Sequence, residues 1–188
     1  MKLVQMPTDL LHLEDADLDR AGVEPSLLAA FRAYLPAALG ERRGLAILAS
    51  PEAGAHCLLM VLARRIGAAL RDANIRLRDT GGDLKSGRRK LCYLPGDVLG
   101  AALDRPGARG DLAREAACFL QDLDAAWASG PSGTVSLEPG GLLDLLDERL
   151  AAGRPTFLNA APERLPSGLA IGLRARLPIL APPEQAGP

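Results

Sequence analysis

The segment from Gly44 to Arg65, GLAILASPEAGAHCLLMVLARR, has residue types and spacing typical of a phosphate-binding loop. The apolar run 45–48 predicts a buried strand, a loop of small residues follows it as far as Gly54, and an apolar helix is predicted from Ala55. In a working loop, G-x-x-x-x-G-K-[ST], backbone N–H groups cradle the phosphates, a lysine pairs with them and a hydroxyl ligates Mg²⁺. This segment therefore has the layout on which such chemistry depends.

The side chains that would perform this chemistry are missing. When the motif is laid on the chain, its first glycine falls on Ala49 and its second on Gly54, with Pro51 between them. The lysine position is Ala55, and the hydroxyl position is His56, whose imidazole is a poor ligand for Mg²⁺. Two interpretations stay open, an ordinary turn between a strand and a helix or an inactive relative of an ATPase. His56 could contact an anion at the helix N-terminus, or it could cap the helix or face solvent.

Composition limits the classes of protein to which the chain can belong. Its 188 residues suffice for one domain with a real core. Because 48% of the residues are hydrophobic and only 3% are aromatic, the core must consist of Leu, Ala, Ile and Val. A net charge of −1 provides no overall field that would recruit nucleic acid or an anionic membrane. The three cysteines, Cys57, Cys92 and Cys118, lie in apolar runs without CxxC spacing, which predicts buried reduced thiols and no metal site.

The N-terminal sequence gives no sign of export or membrane insertion. MKLVQMPTDLLHLED becomes acidic too early for a signal peptide. No apolar run approaches the roughly 20 residues that span a bilayer. We therefore expect a cytoplasmic protein with no membrane partner.

Hydrophobic periodicity predicts alternating strands and helices. We predict a leader at 1–24, an α/β domain at 25–181 and a Pro-rich tail at 182–188. Pro36 should kink or end the first helix, and the polar side of the 142–153 helix, Arg149 included, should be a solvated face. The predicted strands are 45–48, 90–94, 118–124, 155–159 and 177–181, and the predicted helices are 26–39, 55–70, 98–103, 111–117, 142–153 and 168–176, with loops at 79–89, 104–110 and 128–141. This alternation is typical of a parallel sheet covered on both faces.

Four segments, in order, resemble one family. They are ILASPEAGAHCLLMVLA, KLCYLPGDVLGAAL, ACFLQDLDAAW and DLLDERLAAGRPTFLNAAPERLPSGLAIGLRARLPILAPP. From about residue 27 to residue 183 the chain resembles a degenerate AAA+ ATPase base domain of the initiator and helicase-loader branch, which includes DnaA, Hda, DnaC and IstB-like proteins. The resemblance implies a three-layer, P-loop NTPase-like α/β fold with five parallel strands. Because few residues follow Leu180, we expect no C-terminal lid domain.

The resemblance also implies roles for individual positions. The Walker B pair falls on Gln121 and Asp122, so the metal-ligand acid is replaced by an uncharged amide. The sensor-1 residue matches Asn159, and the arginine finger matches Arg176, with Arg174 as a second candidate. Phosphoryl transfer depends on positioning and electrostatic stabilisation. Loss of the lysine and of the metal-ligand acid together should therefore abolish most of it, and we expect no catalytic residue and no metal.

Each of these positions also has a structural interpretation. Asp122 and Asp124 could bind a metal or could shape a turn after the strand. Arg174 and Arg176 could act on a neighbouring subunit or could be solvated cations at a helix end. Trp127 could be an anchor for a partner or could lie at the edge of the core.

A group of basic residues around the 79–89 loop could contact nucleic acid or could form an ordinary charged loop. The group contains no aromatic residue for base stacking, and acidic residues interrupt it. Its members are Arg76, Arg78, Lys85, Arg88, Arg89 and Lys90.

The sequence therefore predicts a catalytically inactive AAA+-like protein that acts as a protein-interaction or regulatory module. The resemblance implies a link to DNA replication or DNA handling, and an AAA+ relative is one candidate partner. Binding of ATP or ADP is not expected, but the sequence leaves it open. Two alternatives are a nucleotide-binding switch that does not hydrolyse and a DNA-binding accessory protein. An enzyme with unrelated chemistry has almost no support, because His12 and His56 are the only histidines and no nucleophile–base motif accompanies them.

Overall fold

The computed structural model of the chain describes residues 15–41, 43–81, 90–103, 105, 107–127 and 137–183. Several predicted features therefore lie partly or wholly outside the described residues. These are the leader up to residue 14, the basic loop at 82–89, the loop at 128–136 and the end of the tail at 184–188.

A sheet of five parallel strands forms the centre of the fold. Its order is β2-β3-β4-β1-β5, and every neighbouring pair is parallel. The strands are β1 (Leu45–Leu48), β2 (Leu91–Pro95), β3 (Ala117–Gln121), β4 (Thr156–Ala160) and β5 (Ile179–Leu180). The predicted five-stranded parallel sheet is confirmed.

Helices cover both faces of this sheet. They are α1 (Asp15–Leu18), α2 (Pro25–Gly40), α3 (Ala55–Asp79), α4 (Gly96–Leu103), α5 (Ala108–Arg114), α6 (Pro139–Ala151) and α7 (Leu169–Arg174), with 3₁₀ turns at Pro51–Ala53, Leu123–Trp127 and Pro162–Arg164. Alternate residues of each strand enter different cores. Ile47 packs with α1–α3, whereas Ala46 and Leu48 pack with α4–α7. Both cores consist mainly of Leu and Ala, as the composition predicts.

Pro36 does not end the first helix, because α2 continues to Gly40. A proline inside a helix removes one N–H donor and leaves the carbonyl four residues earlier without a helical partner. Pro36 is exposed, and water can satisfy such a carbonyl on the outer face of a helix.

Four other predicted boundaries are also wrong. Helix α5 begins at Ala108, inside the predicted loop, and ends before Ala117, which is the first residue of β3. Helix α6 begins at Pro139, since proline is favoured at the first position of a helix. Strand β3 ends at Gln121 and not at residue 124, because Asp122 has φ 47°, a left-handed conformation that no strand continues.

Arg149 does not lie on a solvated face, as predicted, but is fully buried. Its guanidinium donates to Thr156 Oγ1 (2.8 Å), Pro155 O (2.8 Å), Glu115 O (3.0 Å) and the carbonyl oxygen of Leu112. Burial lowers the pKa of Arg149. The side chain joins α6 to the end of α5 and to the start of β4, so its role is structural.

The three cysteines are buried and free, as predicted. Cys92 and Cys118 are directly opposite each other in the register of β2 and β3. Within the described parts of the chain, no helix is both long and apolar enough to cross a membrane.

Candidate functional site

A cavity of about 370 Å³ lies where β1, β3 and β4 end. Because the strands are parallel, the residues that follow them meet at this one edge of the sheet. Most of the predicted site residues line the cavity, namely Ala49, Pro51, Ala55, His56, Asp122 and Asn159. Gly54, Gln121, Arg174 and Arg176 do not line it.

The loop after β1 is a tight turn that ends at the predicted second glycine of the motif and has no lysine after it. Residues 51–53 form one 3₁₀ turn, and Gly54 then has φ 75°, which favours glycine. A Cβ on Gly54 would also lie 3.0 Å from Val23 Cα. Ala55 begins α3 at the predicted lysine position and is only 3% exposed. At this position the cavity therefore meets a buried methyl group.

His56 is half-buried, and it lines the cavity. Its Nε2 atom lies 3.3 Å from Cys57 Sγ. Apart from His56, Arg164 is the lining residue that can carry a positive charge.

Gln121 turns away from the cavity and is held at both ends of its amide. The Tyr93 hydroxyl donates to Gln121 Oε1 at 2.5 Å, and Gln121 Nε2 donates to Asp122 Oδ2 at 3.0 Å. Burial raises the pKa of Tyr93, which keeps its hydroxyl proton available for donation. The residue at the position of the metal-ligand acid is therefore a neutral, half-buried side chain held by two hydrogen bonds.

Asp122 and Asn159 form a reciprocal pair. The Asp122 N–H donates to Asn159 Oδ1 at 3.0 Å, and Asn159 Nδ2 donates to Asp122 Oδ1 at 2.6 Å. Gly96 allows this arrangement, because a Cβ there would lie 2.2 Å from Asp122 O. The Asp122 carboxylate thus accepts two amide hydrogen bonds, one from Asn159 and one from Gln121.

Asp124 lies in the 3₁₀ turn Leu123–Trp127, and its side chain joins that turn to the segment after β4. It is 9% exposed, and its Oδ1 accepts a hydrogen bond from the N–H of Ala161 at 3.0 Å. Its Oδ2 lies 4.0 Å from Arg164 Nη1. The side chains of His, Cys, Asp and Glu in the described part of the chain form no group of three or more that could hold a metal ion.

Arg164 is the lining residue that sequence reasoning missed. It belongs to the 3₁₀ turn Pro162–Arg164 that follows β4. The Pro-Glu-Arg-Leu sequence indicates a turn there, and a turn after a parallel strand lies at the same edge as the other site residues.

The two arginine-finger candidates lie away from the cavity. Arg176 makes a two-pronged ion pair with Asp147 of α6, with Nε–Oδ1 and Nη2–Oδ2 distances of 2.7 Å, and its Nη1 donates to Gly172 O at 3.1 Å. This contact lowers the pKa of Asp147 and raises that of Arg176. Arg174 is exposed at the end of α7. Arg176 is therefore engaged within its own chain.

Trp127 lies at the edge of the core. Its indole Nε1 donates to Leu137 O at 2.6 Å, and its ring packs partly buried against the core under α4–α7. Of the predicted basic group, Arg78 forms an exposed ion pair with Asp79, and 82–89 lies outside the described residues.

No protein-family model and no curated protein sequence matches the chain. Solved structures do match it. A crystal structure of DnaI is 12% identical, with a TM-score of 0.57, and the match covers 94% of each chain. DnaA from Aquifex aeolicus bound to AMPPCP is 12% identical, with a TM-score of 0.56, and the match covers 87% of this chain and 48% of that one. The replication initiator DnaA bound to AMPPCP and single-stranded DNA is also 12% identical, with a TM-score of 0.53 and the same coverage.

These similarities show the fold alone. They confirm the predicted three-layer α/β fold with a parallel five-stranded sheet, that of the AAA+ P-loop base domain in initiator and loader proteins. The chain spans about half the length of the DnaA chains that it matches.

Proposed function

We propose that this chain, which shares its fold with replication initiators and loaders, is a catalytically inactive AAA+-like module that acts through protein contacts in DNA replication or DNA handling. The observation that supports this most strongly is the wall of the cavity. The buried methyl group of Ala55 stands where a lysine would pair with phosphate. The exposed carboxylate of Asp122 lies on the same cavity.

The electrostatics of the cavity disfavour the binding of a nucleoside triphosphate. The carboxylates of Asp122 and Asp124 repel phosphate, and Arg164 lies 4.0 Å from Asp124, so its charge is partly balanced. A bound Mg²⁺ would need oxygen ligands with free lone pairs. The amide oxygens of Gln121 and Asn159 already accept hydrogen bonds, from the Tyr93 hydroxyl and from the Asp122 N–H. Neither a lysine nor a ready metal site therefore offsets the repulsion.

The second candidate is a nucleotide-binding switch that does not hydrolyse. The observation in its favour is the cavity itself, whose volume of about 370 Å³ lies within the range of small-ligand pockets. The N-terminus of α3 opens onto it through Ala55 and His56, and backbone N–H groups at a helix start attract anions. A nucleotide held there would rely on these groups and on Arg164.

A thermal-shift titration with ATP and ADP, with and without Mg²⁺ and up to millimolar concentration, separates the two functions. The inactive module predicts no shift of the unfolding midpoint. It also predicts that a phosphate-release assay with ATP gives no signal above the blank. A ligand at one hundred times its Kd would add about 2.7 kcal/mol to the free energy of unfolding, which such a titration detects.

A saturable shift would overturn the proposal and favour the switch. The variant Arg164→Ala then locates the site, because it should reduce the shift if the nucleotide occupies the cavity. Arg105→Ala is the matched control, since Arg105 is exposed and does not line the cavity.

A further inference from the structure

A second cavity, of about 530 Å³, lies at the opposite edge of the sheet, where β3 and β4 begin. It is a groove between the end of α2 and the second half of α3. Its floor is formed by the first residue of β3, the residue before it and Pro155. The groove is thus separated by the length of the strands from the first cavity, which lies where β1, β3 and β4 end.

Helix α3 continues well beyond the part that the core requires. Its last buried residue is Ile66, yet the helix continues to Asp79. Arg65 and Arg76 both line the groove, and because Arg76 follows Arg65 by eleven positions, the two are separated by about 17 Å along the helix, or three helical turns. The small side chains of Ala69 and Ala73 form part of this wall and allow another backbone to approach closely.

The groove combines an apolar surface with positive charge. Among the described residues that line it, all but the two arginines are apolar, and none is acidic. Leu39, on the opposite wall, remains 38% exposed. Lys90 is exposed beside the floor, where its carbonyl oxygen accepts a hydrogen bond from the N–H of Ala116 at 2.9 Å.

We propose that this groove binds an acidic amphipathic helix of a partner protein, with apolar side chains on its floor and carboxylates at Arg65 and Arg76. The inference rests on the proposed protein-interaction function, for which it supplies a surface and a kind of partner. Charge complementarity selects the occupant, because two arginines flank an apolar wall three turns long.

A second copy of the chain is a poorer occupant. Among the described helices longer than one turn, the acidic one that it would offer is α6, and the carboxylates there already have partners. Asp147 pairs with Arg176 at 2.7 Å, whereas Asp144 and Glu148 lie 3.8 and 3.9 Å from Arg109.

Fluorescence anisotropy with the full chain tests the proposal. The probe is a labelled amphipathic peptide of about 18 residues, long enough to form a helix, with Leu on one face and Glu on the other. A second peptide carries Lys in place of Glu. We expect saturable binding of the Glu peptide alone, and about tenfold weaker binding to the Arg65→Glu/Arg76→Glu variant, because both rim ion pairs become repulsive.

Arg71→Glu is the matched control, since Arg71 is exposed on the same helix but does not line the groove. Arg76→Glu alone and the groove-filling Ala69→Trp serve if the double variant does not fold, and each should also weaken binding. Equal binding of the two peptides, or equal loss in Arg71→Glu, would overturn the inference.

The nucleotide titration keeps the two proposals distinguishable. If the chain binds neither ATP nor the Glu peptide, the groove inference is overturned and the inactive module stands. A chain that binds ATP as well as the Glu peptide overturns the inactive module and leaves the groove inference intact.

Discussion

The two edges of the sheet use their polar side chains in different ways. At the carboxyl edge, the residues at ATPase-like positions bond to one another, as Gln121, Asp122 and Asn159 do. At the amino edge, Arg149 is buried against backbone carbonyl oxygens, whereas Arg65 and Arg76 line a groove. A polar residue at a position that is catalytic in an ATPase is therefore no sign of catalysis by itself. The hydrogen-bonding groups of these three side chains are already used to hold the structure together.

The largest expected effect at either edge comes from Arg149→Met. The substitution removes the charged donor from the oxygens of Leu112, Glu115, Pro155 and Thr156, and each hydrogen bond from a charged group contributes about 1.5–3 kcal/mol. We expect a loss of about 3–5 kcal/mol in the free energy of unfolding, measured by urea denaturation.

Arg154→Met is the matched control, because Arg154 makes one hydrogen bond, from Nη1 to Ala113 O at 2.6 Å. It should cost about 1.5 kcal/mol, as expected for a single hydrogen bond from a charged group. Equal losses in the two variants would show that Arg149 contributes no more than an ordinary arginine at this edge.

Asn159→Ala is the next largest change, and it acts at the carboxyl edge. It removes both hydrogen bonds to Asp122, which loses the support for its φ of 47°. We expect a loss of about 2 kcal/mol in urea denaturation.

A double-mutant cycle with Asp122→Gly tests whether the pair acts as a unit. Glycine adopts a positive φ without strain, so Asn159→Ala should cost clearly less in that background. Fully additive losses would contradict the reciprocal pair.

Tyr93→Phe should cost about 1 kcal/mol, since it removes the hydroxyl that donates to Gln121 Oε1. The ring remains, and so does its stacking on Phe119 at 6.4 Å. Tyr34→Phe is a suitable comparison, because that hydroxyl makes one bond, to Gly44 O at 2.8 Å, whereas the Tyr93 hydroxyl also lies 2.8 Å from Met60 Sδ. If Tyr93→Phe leaves the free energy of unfolding unchanged while Tyr34→Phe lowers it, Gln121 is not held by Tyr93.

The sequence allowed prediction of features that depend on local patterns and on the parallel arrangement of the strands. The apolar run at 45–48 gave the bounds of β1, and the residues after β1, β3 and β4 could be placed together because parallel strands end at one edge. The end of β3 could not be predicted, because Asp122 takes its conformation from contacts with Asn159 and Gly96, which are distant in sequence.

The burial of Arg149 was equally invisible. It lies among acidic residues on the polar side of α6, and the sequence gives no indication that carbonyl oxygens from α5 and from the start of β4 surround it. The ion pair between Arg176 and Asp147 likewise depends on the packing of α6 against the end of α7.

The smallest expected effect is that of Asp147→Asn, which breaks the surface pair with Arg176. The pair lowers the pKa of Asp147 below its usual 3.8, so the folded state favours the carboxylate. Its contribution is therefore present above pH 3.8 and is lost as the pH falls through the lowered pKa. Urea denaturation at pH 7 and near pH 2.5 should give a small difference in the free energy of unfolding between the wild type and the variant at pH 7 and a smaller one in acid.

Asp144→Asn makes the same charge change one turn away, where the nearest arginine is 3.8 Å distant, and it should have less effect at either pH. A difference for Asp147→Asn that grows in acid would mean that Arg176 is not held by the carboxylate. Arg176 would then be available to another partner.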